Sequence, residues 1–94
     1  MKKYELRPTN QFKKDLRLAK KRGYKLNQLE AVIDLLAQGK TLEPKYRDHE
    51  LIGDYIGFRE CHIQPDWLLI YLIEDDILTL TLVDTGSHAD LFKK

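Results

Sequence analysis

The sequence is short of the features that mark secreted and membrane proteins. Its 94 residues contain a single cysteine, Cys61, which has no partner within the chain for a disulfide bond. The longest apolar run, Trp67 to Ile73, is far shorter than the ~20 residues that a membrane-spanning helix needs. Residues 1–5 lack the apolar core of a signal peptide. These absences favour a reducing compartment, and we expect a cytoplasmic protein without membrane contact.

Metal-binding spacings are also missing. The three histidines, His49, His62 and His88, form neither His-x-His nor His-Glu-x-x-His, and a lone cysteine cannot supply a pair of thiolates. We therefore expect neither a metal nor another cofactor. Internal repeats and low-complexity segments are absent as well. A chain of this length is enough for one domain with a modest core, which we place at residues 1–94.

Charge is distributed unevenly along the chain. Residues 1–47 carry 13 lysines and arginines against 5 acidic residues, whereas residues 48–94 carry 3 against 10. A basic half indicates an electrostatic partner, most simply a nucleic-acid backbone or an acidic protein segment. A solvated helix face is the alternative interpretation. The basic side chains of the first predicted helix are Lys13, Lys14, Arg17, Lys20 and Lys21.

The first 40 residues predict one strand and two helices. Residues 3–7 alternate like a short strand, and the break Pro8-Thr9-Asn10 supplies the cap of a helix that stops at Gly23. A second helix is predicted to start at Asn27, with Glu30 as its capping-box partner. The pair should form a helical hairpin whose apolar faces cover a sheet. The apolar positions are Phe12, Leu16 and Ala19, then Leu29, Val32, Ile33 and Leu36.

The second half predicts an antiparallel meander. Residues 40–55 have turn chemistry and are predicted as a long loop. Strands are predicted at 57–63, 67–73 and 77–83, and their three-residue connections permit only antiparallel hairpins. The middle strand should be buried on both faces. One face of the last strand is predicted to carry Leu78, Leu80 and Leu82.

Together these elements predict an α+β fold. It has an N-terminal strand, a two-helix hairpin and a three-stranded antiparallel meander. One sheet is expected, with the helices packed on one face. A short helical tail, residues 88–94, should complete the chain.

This topology gathers ionisable side chains at one end of the sheet. In a meander the end of the first strand meets the start of the second and the end of the third, so His62, Asp66 and His88 should converge beside Trp67. His49, in the long loop, is placed to join them. Each residue alone has a plain structural explanation, as strand, turn or loop surface. Convergence favours function, because histidine exchanges protons near neutral pH.

A cluster of histidines and a carboxylate suits metal-free cleavage of RNA. A base removes the proton of a ribose 2′-hydroxyl, whose oxygen attacks the adjacent phosphate, and an acid protonates the leaving 5′-oxygen. DNA lacks that hydroxyl and is not cut by this route. Metal-assisted hydrolysis is disfavoured by the missing ligand spacings. By strand alternation Glu60 shares the face of His62 and is expected to touch substrate, whereas Arg59 lies on the other face in a structural or phosphate-facing position.

The same residues carry a resemblance to a known family. Four segments are similar to the YafQ group of the RelE/ParE toxin superfamily, and the similarity covers nearly the whole chain, including the order of strand, two helices and strands. Two positions depart from the family pattern, since Glu50 replaces a common proline and Tyr55 replaces the usual tryptophan. The similar segments are Asp48 to Leu51, Gly57 to Ile63, Pro65 to Tyr71 and Thr85 to Phe92.

The resemblance implies the toxin of a type II toxin–antitoxin system. Such toxins enter the ribosomal A site and cut mRNA there, which inhibits translation. His49 or Asp66 would serve as base and His88 as acid, with His62 holding geometry or charge. Trp67 and Phe92 would pack near nucleotides or stack on them. The catalytic group implied by the resemblance is thus His49, His62, Asp66 and His88.

The resemblance also implies partners. An antitoxin with an acidic toxin-binding segment would suit the basic residues 13–25, where ribosomal RNA would compete with it. Contact with operator DNA would come only through the antitoxin, which carries the DNA-binding domain. Two alternatives remain: a non-catalytic ParE-like toxin that binds DNA gyrase, and a plain protein-interaction module. The cluster of histidines with Asp66 discriminates, because gyrase binders have no need for it.

Overall fold

A mixed five-stranded sheet organises the fold. The computed structural model describes residues 3–92, in which the strands lie in the order β1-β5-β4-β3-β2. β1 runs parallel to β5, and all other neighbours are antiparallel. The elements are β1 Glu5–Pro8, α1 Asn10–Lys21, α2 Leu26–Ala37, β2 His49–Glu50, β3 Arg59–Gln64, β4 Trp67–Glu74, β5 Thr79–Gly86 and α3 His88–Phe92. The predicted α+β architecture is confirmed.

α1 packs over β5 on one face of the sheet. Thr9 caps the helix, and its Oγ1 accepts the N–H of Phe12 at 3.0 Å, as the break at this position predicted. Phe12 and Ala19 are buried, and Leu16 is partly buried beside them. The apolar stripe of α1 therefore lies where its helical periodicity placed it.

The predicted capping box of α2 is wrong. The helix begins at Leu26, with Lys25 in the extended N-cap position, so that Asn27 lies within the first turn and cannot cap it. Burial of the predicted apolar stripe explains why the helix forms without that cap, because packing contributes most of the stability of a helix in a folded protein. The buried positions include Leu29, Val32, Ile33 and Leu36.

β4 is buried on both faces, as predicted. Leu69 and Tyr71 face the core beneath α1 and α2, whereas Leu68 and Ile70 face a second, smaller cluster that Leu91 of α3 covers. The exposed fraction of each of these β4 residues is at most 1%. The two-helix hairpin thus covers one face of the sheet and the helical tail covers the other. Residues 93 and 94 of the predicted tail lie outside the described residues.

The segment 40–55 is more ordered than a loop. Two short 3₁₀ turns, Pro44–Tyr46 and Gly53–Tyr55, flank the two-residue strand β2, which pairs with β3 at the edge of the sheet. Turn residues alone could be recognised in this segment of the sequence, because a two-residue strand is too short for a periodic pattern. β2 carries His49, the first of the three histidines.

The last strand, β5, begins two residues later and ends three residues later than its predicted range of 77–83. Leu78 has a left-handed backbone, with φ 48°, and is 47% exposed, so it belongs to the turn and not to the apolar face. Leu80 and Leu82 are buried as predicted. An irregularity in the β4–β5 pairing between Ile70 and Tyr71 then shifts the register.

In the described residues, helices long and apolar enough to cross a membrane do not occur.

Candidate active site

Three imidazole rings form a row at one end of the sheet. The ring centroids of His49 and His62 are 6.4 Å apart, and those of His62 and His88 are 5.7 Å apart. The rings come from β2, β3 and the start of α3, so the meander brings them together as expected. All three lie on the α3 face, because His62 alternates with Cys61 and Ile63, which point into the core beneath α1 and α2.

Asp66 holds His88 in place through a single carboxylate oxygen. Oδ1 of Asp66 accepts the backbone N–H of His88 at 3.1 Å and lies 3.0 Å from its Nδ1. These two hydrogen bonds lower the pKa of Asp66 below its usual value. Because an ionised carboxylate only accepts hydrogen bonds, Nδ1 of His88 carries a proton and Nε2 is left to face a substrate. The His88 ring is about half exposed.

Glu60 lies beneath the row, between two of the imidazoles. Its Oε1 is 3.3 Å from Nε2 of His49 and 3.5 Å from Nε2 of His62, and its side chain is only 6% exposed. A buried carboxylate needs such partners, since desolvation without them is costly. Strand alternation correctly placed Glu60 on the face of His62. Its burial, however, leaves it in contact with the imidazoles rather than open to substrate.

His49 is oriented from both of its ring nitrogens. Pairing of β2 with β3 places it directly opposite Glu60. On the other side, Nδ1 of His49 lies 2.6 Å from the carbonyl oxygen of Arg47. A carbonyl only accepts, so Nδ1 carries a proton and Nε2 points to the carboxylate. Apart from its position two residues before His49, Arg47 carries no sequence signal for this contact.

Arg59 lies on the opposite face of the sheet from Glu60 and anchors β2. Its guanidinium contacts Asp48 at 3.0 and 3.4 Å, and this carboxylate raises the pKa of Arg59. Tyr71 also donates its hydroxyl to Asp48, and burial raises the pKa of Tyr71. The network fixes the residue next to His49. Arg59 is thus engaged in a structural contact, the first of the two positions expected for it.

Trp67 is a core residue. It is 3% exposed, its ring packs 4.9 Å from that of Tyr24, and its indole N–H donates to Oγ1 of Thr85 at 3.0 Å. Neighbouring side chains cover the ring, so in this conformation it offers no open face for stacking on a nucleotide. That Trp67 packs near a nucleotide stays a prediction. The indole supports the start of β4, directly after Asp66.

Phe92 borders the row of imidazoles from α3. Its ring centroid lies 6.3 Å from that of His88 and 5.8 Å from that of Tyr55, in an edge-to-face arrangement with the latter. The tyrosine that replaces the family's usual tryptophan is thus part of the surroundings of the site. Phe92 is half-buried and keeps part of its surface at the site.

The basic side chains of α1 lie elsewhere. The helix covers the sheet face opposite to the imidazoles. All five candidate side chains are exposed, so this surface and the row of imidazoles are separate. They are Lys13, Lys14, Arg17, Lys20 and Lys21.

The site offers a set of metal ligands that the sequence spacing did not reveal. One ligand atom from each of Glu60, His62 and His88 lies within 4.8 Å of the other two. Imidazole and carboxylate are ligands that suit zinc and copper. Spacing rules detect ligands on one helix or one loop, whereas these three come from a strand and a distant helix.

A protein-family model matches the sequence of this chain. It describes the bacterial toxin of a type II toxin–antitoxin system, YafQ, and matches residues 4–93. The chain belongs to the YafQ family of type II toxins. The mRNA interferase toxin YafQ of Escherichia coli strain K12 is 40% identical to it over 85 residues, which is 89% of this chain and 90% of the relative.

Solved structures of related toxins share the fold. In the E. coli DinJ–YafQ toxin–antitoxin complex, a chain with 37% identity superposes with a TM-score of 0.88, covering 96% of this chain and 98% of that one. A metal-bound toxin from Helicobacter pylori, 44% identical, gives a TM-score of 0.89 and covers 95% of this chain and 99% of that one. YafQ family membership thus extends over nearly the whole chain.

Proposed function

We propose that this toxin is an endoribonuclease that cuts mRNA on the ribosome and so inhibits translation. The row of three imidazoles, with Asp66 at one end and neighbouring centroids 6.4 and 5.7 Å apart, carries the proposal. Cleavage by a 2′-hydroxyl needs an acid and a base on either side of one phosphodiester. The E. coli relative is named an mRNA interferase, which supports the same activity here. A ribosomal target implies action in the cytoplasm.

The hydrogen bonds suggest how the roles are divided. Asp66, with its lowered pKa and an oxygen already bonded twice, is a poor base and serves to orient His88. His88 then acts as the acid that protonates the leaving 5′-oxygen. His49 acts as the base: its proton stays on Nδ1, and Nε2, turned from Glu60 towards the substrate, takes the proton of the 2′-hydroxyl. His62 holds positive charge beside the phosphoryl oxygens. The products are a 2′,3′-cyclic phosphate and a 5′-hydroxyl.

The reaction as proposed does not require a metal ion. Proton transfer by imidazoles supplies both halves of the step, so the ligand set of Glu60, His62 and His88 need not be filled. An ion bound there would occupy the nitrogens that the reaction uses. The Helicobacter toxin described as metal-bound makes this point worth testing.

A cognate antitoxin is the proposed protein partner. The DinJ–YafQ complex supports an antitoxin of that kind, and operator DNA would be contacted through it. The exposed basic surface of α1 suits an acidic antitoxin segment or ribosomal RNA. The gyrase-binding and interaction-module alternatives have no use for the oriented pair of Asp66 and His88.

Induced expression of variants tests the activity. His88→Ala and Asp66→Ala should each reduce cleavage of a reporter mRNA by about 10²-fold or more, because acid–base groups typically contribute that much. Primer extension locates the 5′ ends. Asp34→Ala, which changes an exposed carboxylate on α2, is the matched control and should cut like the wild type. Cleavage ends that persist at wild-type levels in both site variants would remove this assignment.

The metal requirement is tested in the same assay with purified ribosomes. Cleavage by the wild type should continue in excess EDTA. A ribosome-bound mRNA with a 2′-deoxy nucleotide at the cleavage position should remain intact, since the nucleophile is missing. Activity that disappears with EDTA and returns with zinc would contradict the metal-free mechanism.

A further inference from the structure

A groove leads away from the row of imidazoles along the edge of the sheet. Its volume is about 1120 Å³, which is at the upper end of ligand-sized pockets and leaves room for more than one nucleotide. The start of α2, the turn at Pro44–Tyr46 and the end of β3 form its walls. His62 and His88 are among its lining residues. Whatever occupies the groove is therefore next to the reacting groups.

Two cationic residues, Lys45 and Arg47, line the groove. Among residues 3–92, none of the carboxylates lies within ion-pair distance of Arg47, whereas Arg59 is paired with Asp48. Lys45 is 3.6 Å from Glu43, but both side chains are about 70% exposed, and such pairs are weak. Both cations are thus available to an anionic ligand.

The backbone of Arg47 is held in an unusual conformation. Its φ of 50° and ψ of 41° are left-handed, which is uncommon for a residue other than glycine. Its N–H bonds to the carbonyl of Pro44 at 3.0 Å, and its own carbonyl accepts from His49. Arg47 thereby contributes to the wall of the groove with its side chain and orients the ring of His49, the proposed base, with its carbonyl oxygen. Local strain of this kind is concentrated at functional sites.

A pair of side-chain amides adds a second type of contact. Gln28 of α2 and Gln64 of β3 both line the groove, and Gln64 donates to Gln28 across it. Amides present a donor and an acceptor together, which suits the edge of a base. Cations for phosphates beside amides for a base edge are the two kinds of contact by which proteins position and read a nucleic acid.

We propose that this groove binds the RNA segment next to the scissile linkage, with Arg47 and Lys45 contacting its phosphates and the Gln28–Gln64 pair contacting a base. This inference rests on the proposed ribonuclease function. The contacts are made equally before and during the reaction, so they contribute to binding and to the choice of cleavage position rather than to the chemical step.

Steady-state cleavage of ribosome-bound mRNA at several salt concentrations tests the cationic contacts. Arg47→Gln should raise KM about tenfold and change kcat less than about threefold. The slope of log KM against log salt concentration should fall by roughly one, as expected for one lost phosphate contact. Arg47→Lys keeps the charge and should retain most of the affinity. Arg7→Gln, which changes an exposed arginine on β1 at the opposite edge of the sheet, should match the wild type.

A second variant separates loss of contact from loss of fold. Asn tolerates a left-handed backbone, so Arg47→Asn should fold like the wild type in urea titrations and show the same rise in KM. A normal KM in both uncharged variants, or an equal rise in Arg7→Gln, would overturn the proposal. A loss of kcat at unchanged KM, or weakened antitoxin binding with normal cleavage, would also overturn it. A wild type that cuts no RNA would instead count against the ribonuclease function itself.

The amide pair is tested by mapping cleavage positions. Gln28→Ala and Gln64→Ala should redistribute the ends found on one mRNA, with total turnover within about threefold of the wild type, because a base contact selects sequence. Gln11→Ala, on α1 and away from the groove, is the control and should leave the pattern unchanged. A wild-type pattern in both groove variants would remove the base contact from the proposal.

Discussion

At the scale of the residue, Trp67 shows how burial decides a role. It follows Asp66 in a segment that resembles a toxin family, which marked it as a nucleotide contact. In the fold its indole N–H and the backbone carbonyl of Leu68 are both bonded to the hydroxyl of Thr85, at 3.0 and 2.7 Å. The side chain therefore supports the start of β4, directly after Asp66.

Replacing Trp67 should affect stability more than chemistry. Trp67→Phe removes the donor to Thr85 and part of a buried ring, so we expect a loss of about 2–3 kcal/mol in the free energy of unfolding. Below the unfolding transition, kcat should stay within about threefold of the wild type. Urea titration followed by circular dichroism and a cleavage assay measure the two effects.

The partner of the indole supplies the control. Thr85→Val removes the acceptor and should destabilise the protein by a similar mechanism, again without loss of kcat. A 100-fold loss of kcat in Trp67→Phe at unchanged stability would mean that the ring contacts RNA after all.

At the scale of the element, α3 is a five-residue helix that depends on its attachments. Asp90 accepts from the backbone N–H of Ser87 at 3.0 Å, and the hydroxyl of Ser87 accepts from the N–H of Asp90 at 3.1 Å. Arg22, just beyond α1, contacts Asp90 at 2.6 and 3.2 Å. These bonds, that to Arg22 above all, lower the pKa of Asp90 to about 2. They hold the helix that begins with His88.

Removing this attachment should loosen α3 in a pH-dependent way. The folded-state pKa of Asp90 lies below its unfolded value of 3.8, so its contribution is complete above about pH 4 and is lost as the pH falls toward about 2. Asp90→Asn should therefore reduce the free energy of unfolding by about 1–2 kcal/mol at pH 7, allowing for partial exposure. Urea titrations at pH 7 and pH 3 should show the difference shrinking at the lower pH.

The exposed turn between β4 and β5 provides a matched control. Asp76→Asn removes the same charge there and should leave stability unchanged at both pH values. Asp90→Asn should also lower kcat, since His88 begins the loosened helix. A stability loss of the same size at pH 7 and pH 3 would contradict the role of the ionised carboxylate.

At the scale of the whole molecule, charge and chemistry occupy opposite faces of one sheet. The sequence is basic in its first half and acidic in its second, and the fold places the basic helix and the histidines on different faces of the sheet. α1 covers one face with its exposed cations, and the imidazoles lie on the other. A partner that binds α1 therefore has no need to cover the reacting groups. Long-range attraction by this surface would act on the encounter with the ribosome.

Charge reversal on α1 should weaken ribosome association without unfolding the protein. The triple change of Lys13, Arg17 and Lys20 to Glu should reduce affinity at low salt by more than about tenfold and flatten its salt dependence. The free energy of unfolding should stay within about 0.5 kcal/mol, because the side chains are exposed. Sedimentation with ribosomes measures the association.

An equal charge change elsewhere is the control. Changing Lys3, Arg7 and Lys40 to Glu alters three exposed cations outside the basic segment 13–25 and should have a clearly smaller effect. Ribosome binding that is unchanged in the α1 variant would refute the electrostatic role of this helix.

The sequence by itself determined the features that short periods encode. Helical spacing placed the buried stripes of α1 and α2, a continuous apolar run identified the two-sided burial of β4, and the break at residues 8–10 marked a helix start. From the predicted meander it also followed that the side chains of His62, Asp66 and His88 would lie close together. These inferences succeed because they depend on neighbours a few residues apart, or on hairpins whose connections permit one arrangement only.

Only the tertiary structure decided which side chains are covered and by what. The parallel pairing of β1 with β5, the edge strand β2, the burial of Trp67 and the placement of Glu60 beneath His49 and His62 all arise between segments far apart in the chain. Such contacts leave no local pattern, because a side chain's exposure depends on the distant surface that packs against it. The same reason explains why three metal ligands escaped the spacing rules.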